Sequence, residues 1–168
     1  MDSGTFLTLA ELSLALVGFS AIVAVFLRRE DQTLRAQFNT RQLVEIALTA
    51  FAMSLLPVLL AELRLSGDRL WQACSLAAAA LVIAHVGAGL YRSRIISAIE
   101  PEQERPISAV AAAIVALILV LANLVNASGW LWVPSSGPYT ASIMGQLGAA
   151  SVFFVVEFFR IDRAPPGG

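Results

Sequence analysis

Six side chains able to carry a proton, hold an ion or make hydrogen bonds interrupt otherwise apolar stretches of this 168-residue chain: Glu11, Glu45, His85, Asn123, Gln146 and Glu157. An ionisable group in hydrocarbon costs several kcal/mol unless it neutralises or finds a partner, so each of them is a candidate for function. Glu11 lies among Leu12, Leu14 and Leu16 and shares a helix face with Gly18, seven residues on. Facing a bundle interior or a pore, its carboxyl would bind a cation or pass a proton. Hydrogen-bonded to Gln146 or Asn123, it would simply join helices.

His85 is the sole histidine. A neutral imidazole relays protons and ligates haem or metal, but one histidine excludes a bis-histidine haem within one chain. A second ligand would come from another subunit or from a carboxylate such as Glu45. The structural alternative is a histidine hydrogen-bonded inside a bundle. Glu45 stands four residues after Arg41 and Glu157 three before Arg160, which is ion-pair spacing on a helix. Pro57 lies inside an apolar run and frees the carbonyl near Met53. Such kinks serve gates and substrate sites in some transporters and are also ordinary in membrane helices.

Composition says where these residues must work. Of the chain, 58% is hydrophobic and 14% charged, against about a quarter charged in ordinary soluble domains. A hydrocarbon core about 30 Å thick takes about 20 apolar residues as a helix. Five stretches meet that length, over residues 6–27, 43–63, 70–91, 107–127 and 139–159. None alternates as a barrel strand does. The expected fold is therefore all-α: one polytopic integral membrane bundle of five transmembrane helices, followed by a disordered tail at 164–168. The segment before the first run carries no positive charge, and that run exceeds a signal core, so the first span is expected to be retained.

The intervening segments agree. Asp31 suits an N-cap for a helix that continues into span two, and Leu65-Ser66-Gly67-Asp68 suits a tight turn. Span three is expected to run on through Arg92-Ser93-Arg94 until Pro101, and Pro106 to open span four. With five spans, nine arginines fall on one side and two on the other. The positive-inside rule then places the N-terminus outside and the C-terminus in the cytoplasm. Trp71, Trp130, Trp132 and Tyr139 would form an aromatic belt at the outer interface. Glu11, Asn123 and Gln146 would form an outer polar layer, and Glu45, His85 and Glu157 an inner one.

Small residues mark close helix contacts. Gly145 sits between Ala141 and Ala149 at four-residue spacing, and Gly18, Gly89 and Gly148 are the other glycine packing positions. Net charge of −1 supplies no field for nucleic acid. The single cysteine, Cys74, forms no intrachain disulfide and no cysteine-rich metal site. No phosphate loop, zinc-protease helix or nucleophile elbow is present, and no motif implies a cofactor. Asn126-Ala127-Ser128 fits a glycosylation acceptor that lies too near the membrane for easy modification. All eleven basic residues are arginines, a composition suited to a GC-rich bacterial genome.

Three functions follow as expectations. The first is a small multi-pass inner-membrane protein without enzymatic activity, a subunit or homo-oligomer partnered by lipid and by membrane helices. The second is an oligomeric channel or carrier using Glu11, Gln146 and His85. The third is a redox or metal-binding subunit using His85.

Overall fold

In the computed structural model the described residues are 3–26, 34–99 and 107–161, with side chains described over 4–22, 37–99 and 113–155. They form α1 (Ser3–Phe26), α2 (Leu34–Glu62), α3 (Gly67–Ile99), α4 (Ile107–Ser128) and α5 (Ser136–Ile161). Among the residues whose side chains are described, three stretches, Gly4–Ile22, Gln37–Glu62 and Gly67–Ile99, are long and apolar enough to cross a membrane, and α4 contributes the apolar Ala113–Ser128. Asp31, Pro101, Pro106 and the tail at 164–168 lie outside the described residues.

Two helices extend beyond the apolar runs, as the sequence suggests: α2 begins nine residues before Leu43 and α3 continues eight past Tyr91. The turn between them starts earlier than the predicted Leu65. Arg64 takes the left-handed conformation (φ 64°), its N–H donating to Ala61 O at 2.9 Å while Leu65 N–H donates to Leu60 O at 3.1 Å. That pair of bonds closes a helix C-terminus in the manner usually given to glycine. Gly129 takes the same left-handed conformation at the end of α4 (φ 64°), where glycine meets no steric penalty.

α2 is the central helix, packing on α1, α3 and α5, while α4 bridges α3 and α5. α1 leans mainly on α2 and lightly on α5, so much of its surface faces outward. One core cluster joins Phe6, Ala50, Met53, Cys74, Ala78, Tyr139 and Ile143. Its rings pack together: Phe6 to Trp71 at 5.9 Å, Phe6 to Tyr139 at 6.2 Å and Trp71 to Tyr139 at 6.5 Å between centroids. A second cluster, Leu43, Ile46 and Ala150, lies toward the other end of α2.

The residues of the predicted aromatic belt differ in exposure. Trp130 is 82% exposed and Trp132 is exposed, but Tyr139 is completely buried. Its hydroxyl donates to the carbonyl of Met53. Pro57 explains the bond. Proline has no N–H to offer the carbonyl four residues earlier, so Met53 O loses its helical partner and the tyrosine on α5 supplies another. Several buried serines look after themselves: Ser13, Ser20 and Ser54 each donate to the carbonyl four residues back, at 2.7, 2.6 and 2.8 Å. This satisfies the hydroxyl within one helix.

Tyr139→Phe is expected to lower stability by about 1–3 kcal/mol, the cost of leaving a buried acceptor unpaired. In a Pro57→Ala background, where the restored N–H serves Met53 O, less than half of that loss should remain. Reversible unfolding in mixed detergent micelles across the four-member cycle measures the coupling.

Candidate functional site

A cavity of about 200 Å³ lies between α2, α3, α4 and α5. Apolar groups make most of its wall, among them Ile46, Val82, Leu119 and Phe153, and the polar side chains in it are Gln42, His85, Ser93 and Gln146. His85 and Gln146, which the sequence assigns to different layers, therefore line one space. Ala113, Ala116 and Ala149 keep the facing sides of α4 and α5 thin there.

Gly89 and Gly145 shape the same wall. A methyl group at Gly89 would stand 2.9 Å from Gln42 Nε2, and one at Gly145 would stand 2.7 Å from Leu119 Cδ1. Both glycines thus admit a neighbour's side chain against their helix backbone. Gly18 and Gly148 differ: nothing lies within 4 Å of a methyl group at either position.

Gln42, absent from the predicted polar residues, holds the least satisfied group of the cavity. It is 7% exposed, and its Nε2 is buried without a hydrogen-bond partner. Sequence reading left it at the polar edge of the second apolar run. The available signal was its spacing: Phe38, Gln42 and Ile46 follow at four-residue intervals and lie on one face. Gln146 is engaged instead, its Nε2 pointing at Met53 Sδ at 2.9 Å.

Above the cavity, Asn123 donates to Ser142 Oγ and to Leu119 O at 2.8 Å, joining α4 to α5. Its Oδ1 is buried and unpaired. Asn126 is completely buried and holds the connection between the same helices. Its Nδ2 donates to Ser75 Oγ at 2.8 Å and to Ser135 O at 2.9 Å. Its Oδ1 accepts from Trp132 Nε1 and from Ser135 N–H, both at 3.0 Å. This is an internal bracket across α3, α4 and the following loop, and its side chain is closed to glycosylation. The Asn126-Ala127-Ser128 pattern concealed it, because its partners lie as far as 51 residues away.

At the other end, Glu45 receives Arg41 Nε at 2.7 Å and Arg92 Nη1 at 2.6 Å. The predicted Arg41 pairing is thereby joined by a residue of α3, tying the two longest helices together. Glu45 and Arg92 also lie within electrostatic reach of His85. Among the described residues, no group of three or more His, Cys, Asp or Glu side chains comes together for a metal ion.

Glu11 stands apart from all of this. It is exposed on α1 and does not line the cavity. Asn123 and Gln146, its proposed partners, bond elsewhere. The Glu157 side chain lies outside the described residues.

Comparison with protein-family models, with curated proteins and with solved structures returned no match for the chain.

Replacing Asn126 by alanine removes four hydrogen bonds and takes away the partner of the buried Ser75 hydroxyl. A loss of about 2–4 kcal/mol is expected, with a red-shifted tryptophan emission as Trp132 is released. Asn126→Asp, which keeps both accepted bonds, should fall between alanine and the natural residue in the same thermal unfolding measurement.

Proposed function

We propose that the protein is a five-span bundle of the bacterial inner membrane, N-terminus outside and C-terminus cytoplasmic. On this reading it acts without catalysis, as a subunit that packs through α1 against a further membrane helix, in the first instance that of another copy. The observation that carries the reading is Glu11. Within the apolar stretch Gly4–Ile22, its carboxyl points away from the other four helices.

The same outward face carries Leu7, Thr8, Leu14, Ala15, Gly18 and Ile22, all exposed. The opposite face of α1, with Phe6, Ala10, Ser13 and Ser20, is buried on the bundle. A lone chain in lipid would thus set a carboxyl among acyl chains, at a cost of several kcal/mol. A neighbouring helix removes that cost by supplying a hydrogen-bonding partner. Gly18 favours close approach there, because no atom of the same chain fills the space before it. The arginine asymmetry supports the orientation, and the span lengths of the last two helices rest on the apolar runs at 107–127 and 139–159.

A solute path is the second reading. The shared cavity favours it for His85 and Gln146, and Glu11 would join such a path only at a contact between copies.

Single-molecule photobleaching in discs of native membrane tests the first reading. More than one copy per disc is expected at dilutions where a monomeric control gives one. Glu11→Leu and Gly18→Leu should each weaken association by roughly fivefold, equivalent to about 1 kcal/mol for one interhelical contact. One copy per disc, with no second protein retained, would sink the proposal.

A further inference from the structure

The cavity beside Gln42 has the shape and the polarity of a lipid site. It is elongated along the helices: its lining runs from Val82 to Ser93 on α3 and from Phe38 to Ile46 on α2. At helical rise these stretches span about 16 and about 12 Å. Its wall is mostly apolar, and two of its lining residues, Leu90 and Val115, are exposed at the bundle surface. A dry apolar cavity of about 150 Å³ already takes up a benzene-sized guest, so about 200 Å³ accommodates several methylene groups.

A purely apolar guest would leave one feature unexplained. The Gln42 amide nitrogen is a buried donor without an acceptor. Such a group is costly unless something supplies the missing oxygen. Gln42 immediately precedes the apolar run at 43–63, at one end of the second span. The interfacial zone of a bilayer, roughly 5–7 Å thick on each face, begins where such an apolar run ends. Gln42 therefore sits where hydrocarbon gives way to the headgroup region, the depth of the ester carbonyls of a glycerolipid.

The charge nearby matches the rest of that molecule. Arg41, adjacent in sequence, and Arg92, one turn beyond Gly89 on the facing helix, share the single carboxylate of Glu45. Among the described side chains, two guanidinium groups against one carboxylate leave one positive charge at the level where a lipid phosphate lies. Gly89 completes the arrangement, since only a residue without a side chain leaves the Gln42 amide its place.

We propose that this cavity holds one acyl chain of a membrane glycerophospholipid, whose ester carbonyl accepts a hydrogen bond from Gln42 Nε2 and whose phosphate faces the Arg41–Glu45–Arg92 group. The site lies away from the outward face of α1 and is independent of self-association there. An elongated guest is required by the shape, a carbonyl by the orphan donor, and a phosphate by the residual charge.

The ester carbonyl can be isolated chemically. Full-length protein, delipidated in detergent, is titrated with dioleoyl phosphatidylcholine and with its diether counterpart, and bound lipid is counted by native mass spectrometry. The diether keeps the chains and the phosphate but lacks the carbonyl. One diester lipid per chain is expected, held about fivefold or more tightly than the diether, the worth of one buried hydrogen bond. Gln42→Leu should abolish that preference while leaving diether binding unchanged. Gly89→Ala, whose methyl displaces the amide without removing a helical residue, should narrow the preference as well and serves if Gln42→Leu does not fold. Equal binding of the two lipids, or a preference that survives both substitutions, overturns the proposal. So does displacement of the diester by 2-decyl-1,4-benzoquinone at concentrations below those at which the lipid itself binds, since a ring-bearing carbonyl would then be the better occupant.

Discussion

The controlling constraint is that a polar group carried into hydrocarbon must find its hydrogen bond inside protein, because no water is there to provide it. Most of the bundle obeys by the shortest route. Helical backbones pair within themselves, and Ser13, Ser20 and Ser54 return their protons to their own helices. Where a helix cannot comply, another element must. Pro57 strips Met53 O of its partner, and the Tyr139 hydroxyl, brought from α5, replaces it. This one substitution of side chain for backbone accounts for the burial of a tyrosine at the centre of the Phe6–Trp71–Tyr139 cluster. It also ties the packing of α5 on α2 to a break in α2.

The same constraint explains the bracket at Asn126. A helix end and a loop together expose donors and acceptors that lipid or its interface satisfies poorly. One carboxamide, with two acceptor positions and two donor hydrogens, matches four of them at once. Glu45 performs the corresponding task at the other end with charge instead of dipoles, holding Arg41 and Arg92 together. The two ends of the bundle are thus closed by different chemistry, a neutral network on one and an ion-pair group on the other.

Of the described polar groups left outside this internal satisfaction, two point beyond the chain. Glu11 presents a carboxyl on the outward face of α1, and Gln42 presents an amide donor inside an apolar cavity. On the five-span reading proposed above, the first faces the membrane laterally and the second lies near one membrane surface. Their chemistry differs accordingly: a helix-borne carboxyl is met by another helix, whereas a buried amide in an elongated groove is met by a chain with an oxygen on it. Under the two proposals, the protein is a membrane component that meets a neighbour on one side and a lipid on the other.

Helical class and the positions of the apolar segments were legible in the sequence, since both follow from run length and the local cost of unpaired backbone in lipid. The extension of α3 past Tyr91, the early start of α2 and the Arg41–Glu45 pair were legible for the same reason: each depends on residues within a few turns of one another. The carbonyl freed by Pro57 was also visible there, but its partner was not, because Tyr139 is 86 residues away. Tertiary packing alone decided which face each helix turns inward. That choice sent Glu11 outward, drew Tyr139 into the core and set His85 and Gln146 around one cavity. The hydrophobic pattern could not decide it, since a helix that is apolar nearly all round has no face that its own sequence prefers to bury.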